Sequence, residues 1–323
     1  MKTAIVGAGA IGGFLGARLV QAGHEVSFIA RGAHLAAMRA NGLGLRSNKE
    51  SFTFPVNASD SVDGLGPQDA VFIALKAYSI AAMLPRLAPL MHAQTVVIPV
   101  INGVPWWYFY KEGGPLDGES VASIDPDGAM LRDLDCARIL GCVVHVAAEV
   151  VAPGVVEHAA GRRFVLGEPD GSRSERAARM AAVLEQAGLQ APLSQRIRDE
   201  VWTKLIGNLA FNPICALTAA RMDQAMSDPA IVALTRTVMG EGMRVGQAYG
   251  AKFGISIDER MEMAKRIGNS KVSMLQDLER GRPIESEAIV GAVCELGRRA
   301  GVSTPTTDLV CTLIRRRGMS TAG

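Results

Sequence analysis

Residues 2–12 read KTAIVGAGAIG, a short apolar strand that runs directly into a glycine-rich turn. The turn has the spacing G-x-G-x-x-G, and a helix pattern follows it. In dinucleotide-binding folds the first glycine permits the tight turn, the second lets the backbone approach a pyrophosphate, and the third lets the helix pack closely on the strand. A glycine-rich turn without a ligand is the alternative. The context favours a phosphate-binding turn made of Gly7, Ala8, Gly9, Ala10, Ile11 and Gly12.

Strand and helix patterns alternate through the first half of the chain, as in a doubly wound parallel sheet. Phe14, Leu15 and Leu19 form the apolar face of the first helix, and Gly23 ends it. A second strand is predicted at Glu25–Ala30. Further strands are predicted at Ala70–Leu75, Thr95–Val100, Arg138–Val150 and Arg163–Leu166, helices at Gly32–Ala40, Ser79–Ala88 and Ser174–Ala187, and a hairpin at Leu43–Arg46 with Ser51–Phe54.

The alternation of strand and helix patterns ends near residue 194. From Gln195 onward the apolar residues follow helical periodicity almost without strand signals. The sequence therefore predicts an α/β protein, with an N-terminal Rossmann doubly wound sheet followed by an all-α C-terminal domain. The expected domains are residues 1–194, which bind the nucleotide, and residues 195–323, which bind substrate.

Composition narrows the class of protein. The 323 residues carry a net charge of +2, so neither a nucleic-acid nor a membrane partner is expected. The five cysteines lack metal-type spacing, so no metal site is expected, and Cys215 and Cys294 lie in apolar helix patterns that predict buried thiols. The first strand starts at residue 2 or 3, which leaves no room for a signal peptide. We therefore expect a cytoplasmic protein.

The end of the second strand predicts which dinucleotide binds. NAD-specific sites place Asp or Glu there to bind the ribose hydroxyls. Here residues 28–31 read FIAR, and Glu25 stands at the opposite end of the strand. An arginine at this point suits the 2′-phosphate of NADP, because its planar fork makes charge-assisted hydrogen bonds. Arg31 therefore favours NADP(H), with a solvated arginine as the alternative.

A line of polar residues marks the start of the helical half. Lys204, Asn208 and Asn212 are spaced at i, i+4 and i+8, so they line one side of a helix over about 12 Å. Asparagine is a poor residue inside a helix, and Pro213 removes a backbone N–H. A helix that tolerates these residues is typical of a polar cleft wall.

Two further residues have ordinary structural explanations. Ser273 and Gln276 match a capping box at the start of a helix. Pro283 is expected to open the next helix, which would place Glu285 in its first turn, where the helix dipole favours a carboxylate. Spacing alone assigns neither Ser273 nor Glu285 to a site.

Together these motifs resemble the ketopantoate reductase (2-dehydropantoate 2-reductase) family along nearly the whole chain. The resemblance implies NADPH-dependent reduction of a small 2-keto acid, with ketopantoate reduced to pantoate in pantothenate biosynthesis as the leading reaction. It also implies catalysis in a cleft beside the Rossmann domain and leaves a homodimer open. The matching segments are Gly7–Gly12, Arg31, LKA at 75–77, NG at 102–103, the Lys204-Asn208-Asn212-Pro213 line, SMLQD at 273–277, GRP at 281–283 and Glu285.

The same resemblance implies a role for each site residue. Lys204 matches the general acid of the family. Its ammonium is protonated at neutral pH, since the ordinary lysine pKa is about 10.4. The implied substrate-binding residues are Asn102, Asn208, Asn212 and Ser273, and the implied contacts near the nicotinamide are Lys76, Asn102 and Glu285.

Two departures from the family pattern affect the substrate. Residues 106–110 read WWYFY, a run of aromatics at the start of a loop that reaches roughly to Asp135. The run predicts either a small satellite core or a pocket wall that alters substrate choice. In addition, IESE at 284–287 with VG at 290–291 keeps only the glutamate and the glycine of a frequent family motif. The alternatives are therefore the same chemistry on a bulkier 2-keto acid, or a non-catalytic NADP-binding sensor.

Overall fold

The computed structural model describes residues 1–319, and contacts divide the chain into two compact units. Unit 1 comprises Met1–Ile101, Phe109–Glu119 and Gly128–Ile197. Unit 2 comprises Asn102–Tyr108, Ser120–Asp127 and the chain from Arg198 onward. Two segments that precede the expected boundary near residue 194 thus group with the helical unit.

Unit 1 contains nine strands in two sheets. The strands are β1 Lys2–Val6, β2 Glu25–Ile29, β3 Leu43–Arg46, β4 Ser51–Phe54, β5 Asn57–Ser59, β6 Ala70–Ile73, β7 Val96–Pro99, β8 Gly141–Ala152 and β9 Val155–Gly167. The five-stranded sheet is parallel and has the order β5-β2-β1-β6-β7. The chain runs outward from β1 through β2 to β5, then returns to β6 and β7 on the other side, which confirms the doubly wound fold.

The strand order places a switch point between β1 and β6. In the pairing register Val6 lies opposite Ile29 on one side and Ile73 on the other, so the carboxyl ends of the three strands are level. Ligands of open α/β sheets bind outside the carboxyl ends at such a reversal. The glycine turn begins directly after Val6, at this point of the sheet.

The parallel sheet is buried because helices cover it. Helix α1 (Ala10–Gln21) approaches it so closely that a Cβ on Gly16 would lie 2.5 Å from Cζ of Phe28. The other helices of unit 1 are α2 (Gly32–Asn41), α3 (Ala129–Asp133) and α4 (Glu175–Gln186). Ser174 caps α4, since its hydroxyl accepts a hydrogen bond from the backbone N–H of Ala177.

The second sheet has the order β4-β3-β9-β8. The predicted hairpin is confirmed, since β3 and β4 pair antiparallel with Leu43 opposite Phe54. The strands predicted over Arg138–Val150 and Arg163–Leu166 correspond to β8 and β9, which form a long antiparallel hairpin outside the parallel sheet. Residues 155–162 join β9 because tertiary pairing overrides their weak strand propensity.

The prediction of a helix over Ser79–Ala88 is wrong. The structure has short 3₁₀ turns at Ala77–Ser79 and Leu84–Leu90. Pro85 and Pro89 lack a backbone N–H, so neither can make the i→i−4 bond of an α-helix.

Unit 2 is helical, and no strand occurs among residues 198–319. In helix α5 (Ile197–Thr218), Trp202 and Leu209 are fully buried. Helix α7 (Pro229–Ala248) approaches it closely, since a Cβ on Gly246 would lie 2.9 Å from Cδ2 of Trp202. The helices are α5 Ile197–Thr218, α6 Met222–Ser227, α7 Pro229–Ala248, α8 Ile257–Lys265, α9 Ser273–Glu279, α10 Ala292–Arg299 and α11 Pro305–Met319, with a π-helical turn at Glu287–Gly291.

Each of the five cysteines is a buried free thiol, which confirms the prediction for Cys215 and Cys294. Among residues 1–319 no helix is both long and apolar enough to cross a membrane.

Candidate active site

The glycines of the first turn are required by packing at two positions and leave open space at the third. Gly7 has φ +103°, and a Cβ there would lie 2.6 Å from the carbonyl oxygen of Ala74. A Cβ on Gly12 would overlap the Gly7 carbonyl oxygen and lie 2.9 Å from Cγ2 of Ile5. A Cβ on Gly9 would meet nothing within 4 Å. The backbone at Gly9 is therefore open to a ligand.

Helix α1 begins at this open position. Its N-cap residue is Gly9, which offers no side-chain cap, and its first turn contains no acidic residue. The first intrahelical bond runs from Gly13 N to Gly9 O at 2.7 Å. The N–H groups of Ala10, Ile11 and Gly12 precede that bond, so they can point at an anion. This end of the helix fits a dinucleotide pyrophosphate.

Two cations lie beyond the carboxyl ends of β2 and β6, the strands on either side of β1 in the parallel sheet. Arg31 lies two residues after the end of β2, is exposed, and stands in extended conformation at the N-cap of α2. Lys76 follows β6 and is half-buried. The backbone N–H groups of Gly7 and Ala8 both donate to Ile29 O at 3.0 Å, so the turn is tied to the end of β2 that precedes Arg31.

In unit 2, helix α5 holds the polar line. Lys204 and Asn208 are half-buried, and Asn212 is 4% exposed. The helix continues through Pro213 to Thr218. Lys204 Nζ donates a hydrogen bond to Oδ1 of Asn102 at 2.8 Å. The fold thus brings together two candidate site residues that are 102 positions apart in the sequence.

The position of Asn102 depends on the two residues that follow it. Gly103 has φ +85°, and a Cβ there would overlap the carbonyl oxygen of Ala288 and lie 2.9 Å from its Cβ. Val104 N donates to the same carbonyl at 2.9 Å. Ala288 belongs to the π-helical turn, a rare conformation that is frequent at functional sites. The turn therefore fixes the loop that presents Asn102 to Lys204.

Ser273 lies beside the other end of the polar line. Its hydroxyl donates to Oδ1 of Asn212 at 3.4 Å, and the residue is otherwise exposed. The prediction of a capping box is wrong, because Val272 is the N-cap residue of α9 and Ser273 is already inside the helix. Ser273 Oγ is directed to Asn212 instead of a backbone N–H.

Glu285 differs from expectation in its backbone. Pro283 opens no helix, and Glu285 precedes the helical turn instead of lying inside it. Its carbonyl accepts the first bond of that turn, from Ile289 N at 3.2 Å. The side chain is buried, with 6% of the residue exposed. A carboxylate in such a place requires polar neighbours.

The aromatic run is largely core. Trp106, Trp107, Tyr108 and Phe109 are each at most 1% exposed, which favours the satellite-core interpretation. Tyr108 OH accepts a hydrogen bond from Trp202 Nε1 at 2.6 Å, and the two rings meet edge to face. These contacts hold Tyr108 against α5, the helix that carries Lys204.

Arg198 is a residue that sequence reasoning missed. Its Nε donates to the carbonyl of Tyr108 at 2.7 Å, and its guanidinium lies 5.8 Å from the centre of the Tyr108 ring. The spacing of Arg198 and Trp202 at i and i+4 on α5 was the available signal.

Comparison with known proteins identifies a family that matches both halves of the chain. The family described as ketopantoate reductase PanE/ApbA matches residues 3–107, and its C-terminal counterpart matches residues 196–318. A 2-dehydropantoate 2-reductase of Mesorhizobium japonicum is 49% identical over 98% of this chain and 97% of its own length.

Solved structures show the same fold. A proposed ketopantoate reductase from Ralstonia solanacearum MolK2 has a TM-score of 0.93 and 39% identity, covering 99% of this chain and 98% of that one. The 2-dehydropantoate 2-reductase of Geobacter metallireducens GS-15 has a TM-score of 0.87 and 28% identity, with 98% and 99% coverage.

Proposed function

The chain belongs to the ketopantoate reductase family, and we propose that it reduces 2-dehydropantoate to pantoate with NADPH as the hydride donor. As a member of this family it is an oxidoreductase that uses a nicotinamide dinucleotide. The observation that carries the proposed reaction is the hydrogen bond from Lys204 Nζ to Oδ1 of Asn102.

This contact orients a proton donor. Lysine has three N–H donors, and Asn102 holds one of them, so the amine points in a set direction. The ammonium can polarise a keto oxygen and then give it a proton. The keto oxygen becomes a hydroxyl, the lysine becomes neutral, and solvent returns the proton. A sensor that only binds the dinucleotide would not need an oriented amine.

The remaining residues of the line would position the substrate. Asn208 and the buried Asn212 offer amide donors and acceptors along the same face of α5. Ser273 contacts Asn212 and adds a hydroxyl at that end of the line. We assign these residues to the polar groups of the 2-keto acid, and Glu285 and Lys76 to contacts near the nicotinamide.

The residues of unit 1 fit the dinucleotide. The turn at Gly7–Gly12 leaves open space at Gly9 and points helical N–H groups outward, which suits a pyrophosphate. Arg31 is exposed after β2, where it would bind the 2′-phosphate. When bound, NADPH supplies the hydride that reduces the keto carbon.

A substrate panel tests the reaction. NADPH oxidation is followed with 2-dehydropantoate, pyruvate and phenylglyoxylate as acceptors, and NADH is compared as the donor. We expect the highest kcat/KM for 2-dehydropantoate with NADPH. A preference for phenylglyoxylate would favour the bulkier-substrate alternative. NADPH binding without turnover of any acid would favour the sensor.

We further propose that the protein is located in the reducing cytoplasm, which suits its five buried free thiols. A homodimer stays a prediction, which light scattering after size-exclusion chromatography would test.

A further inference from the structure

The guanidinium of Arg260 lies against helix α5 at Gly207. A Cβ built on Gly207 would overlap Nη2 of Arg260 and lie 2.6 Å from Nε and 2.7 Å from Cζ. Glycine is an unfavourable residue in the interior of a helix, since the flexible backbone loses more entropy there than alanine does. Helix α5 therefore has a residue of low helix propensity, Gly207, at the position where the guanidinium of Arg260 packs against it.

This place borders the polar line of α5. Gly207 is three residues after Lys204 and directly before Asn208. At 3.6 residues per turn its Cα faces about 60° away from Lys204 around the helix axis. The guanidinium that covers Gly207 consequently lies on the flank of the line. Arg260 itself is half-buried in the first half of α8.

Among the residues that the structure describes, Arg260 has no acidic partner. Within residues 1–319 its side chain makes neither a hydrogen bond nor an ion pair, and burial lowers its pKa with no carboxylate to oppose the shift. The acids of α8 are engaged elsewhere: Asp258 with Arg236 at 2.6 Å, Glu259 with Ser256 at 2.8 Å, and Glu262 with Lys265 at 2.5 Å.

A desolvated charge without a partner destabilises a fold, and a bound anion removes that cost. The carboxylate of a 2-keto acid is bonded directly to the keto carbon, so a group that binds it must lie close to the proton donor. We propose that Arg260 is a substrate-binding residue that holds this carboxylate through its guanidinium fork. This assignment rests on the proposed function, which places the keto group at Lys204.

Steady-state kinetics with saturating NADPH provide the first test. Arg260→Gln should raise the KM for 2-dehydropantoate roughly ten- to a hundredfold, the loss expected when hydrogen bonds to a charged group disappear. The kcat and the NADPH dissociation constant should change much less. Arg236→Gln is the matched control, because it removes an exposed arginine that pairs with α8. An unchanged KM in Arg260→Gln would overturn the assignment.

Binding measurements separate the contribution of the ligand's carboxylate charge from the contributions of its other contacts. Calorimetry in the presence of NADP⁺ compares pantoate with pantolactone, the neutral lactone that lacks the carboxylate. The wild type should prefer pantoate, and Arg260→Gln should lose at least about tenfold of that preference. Equal preference in both proteins would refute the role of Arg260. A wild type that binds pantoate but reduces no 2-keto acid would refute the proposed function and not this assignment.

Gly207→Ala provides a second variant that keeps the arginine. The added methyl would displace the guanidinium, so the KM should rise as in Arg260→Gln. Alanine favours the helix, and the displaced guanidinium is unpaired in the free protein, so the melting temperature should not fall. A lower melting temperature in both variants with an unchanged KM would show that Arg260 only supports the packing of α8.

Discussion

Replacing Gly103 by alanine tests whether the loop after β7 positions the proton donor. A Cβ at this residue would overlap the carbonyl oxygen of Ala288 and lie 2.5 Å from its carbonyl carbon. Ordinary van der Waals contacts need about 3.5 Å, so the loop must shift by roughly 1 Å. Asn102 is the adjacent residue, and its side chain accepts the hydrogen bond from Lys204 at 2.8 Å.

The expected loss follows from this displacement. A shift of about 1 Å in a positioning group costs about a hundredfold in rate. The left-handed φ of +85° adds about 1–2 kcal/mol of strain for alanine. We therefore expect Gly103→Ala to lower kcat about a hundredfold and to lower the free energy of unfolding, with NADPH affinity nearly unchanged. Stopped-flow kinetics, dye-free thermal unfolding and fluorescence titration with NADPH measure the three quantities.

Gly301→Ala is the control for strain. Gly301 also has a left-handed φ, +67°, but a Cβ there meets nothing within 4 Å. This variant should lose stability by a similar strain energy and keep its turnover. If Gly103→Ala retains wild-type kcat, or if both variants lose activity equally, the loop does not act through the contact of Asn102 with Lys204.

Other perturbations address the remaining parts of the molecule. Lys204→Ala should lower kcat by roughly 10²–10⁴ while NADPH binding persists, and near-wild-type turnover would remove Lys204 from the role of proton donor. Arg31→Asp should weaken NADPH binding far more than NADH binding in paired titrations, and a wild type that binds both equally would contradict the assignment. Replacing Trp106 and Trp107 together by alanine should lower thermal stability, since a buried aromatic contributes about 3–5 kcal/mol, and leave the ranking of keto acids unchanged; a changed ranking would restore the pocket-wall interpretation. Burial lowers the pKa of His34 below its ordinary 6.5, so the unfolded chain binds the proton more tightly. The free energy of unfolding therefore has its full value above about pH 6.5 and decreases as the pH falls towards the lowered pKa of His34. A melting temperature that falls with pH by the same amount in His34→Gln as in the wild type would contradict this.

Local patterns were sufficient for much of the fold. The first turn was predicted because its glycines act through their own backbone and the adjacent strand and helix. The line from Lys204 to Asn212 was predicted because helical periodicity fixes which residues share a face. The failures were local as well. The helix predicted over Ser79–Ala88 does not form because of Pro85 and Pro89, and the structure has 3₁₀ turns there. Ser273 donates a tertiary hydrogen bond to Asn212 instead of capping a helix.

The sequence by itself determined the doubly wound sheet, the dinucleotide turn and the spacing of the polar line, because neighbours in the chain define each of these features. Only the tertiary structure decided which groups meet. It placed Asn102 on Lys204, set β8 and β9 in a second sheet, and laid Arg260 against Gly207. Such contacts join residues far apart in the chain, so their geometry depends on how whole helices and strands pack, which no local pattern encodes.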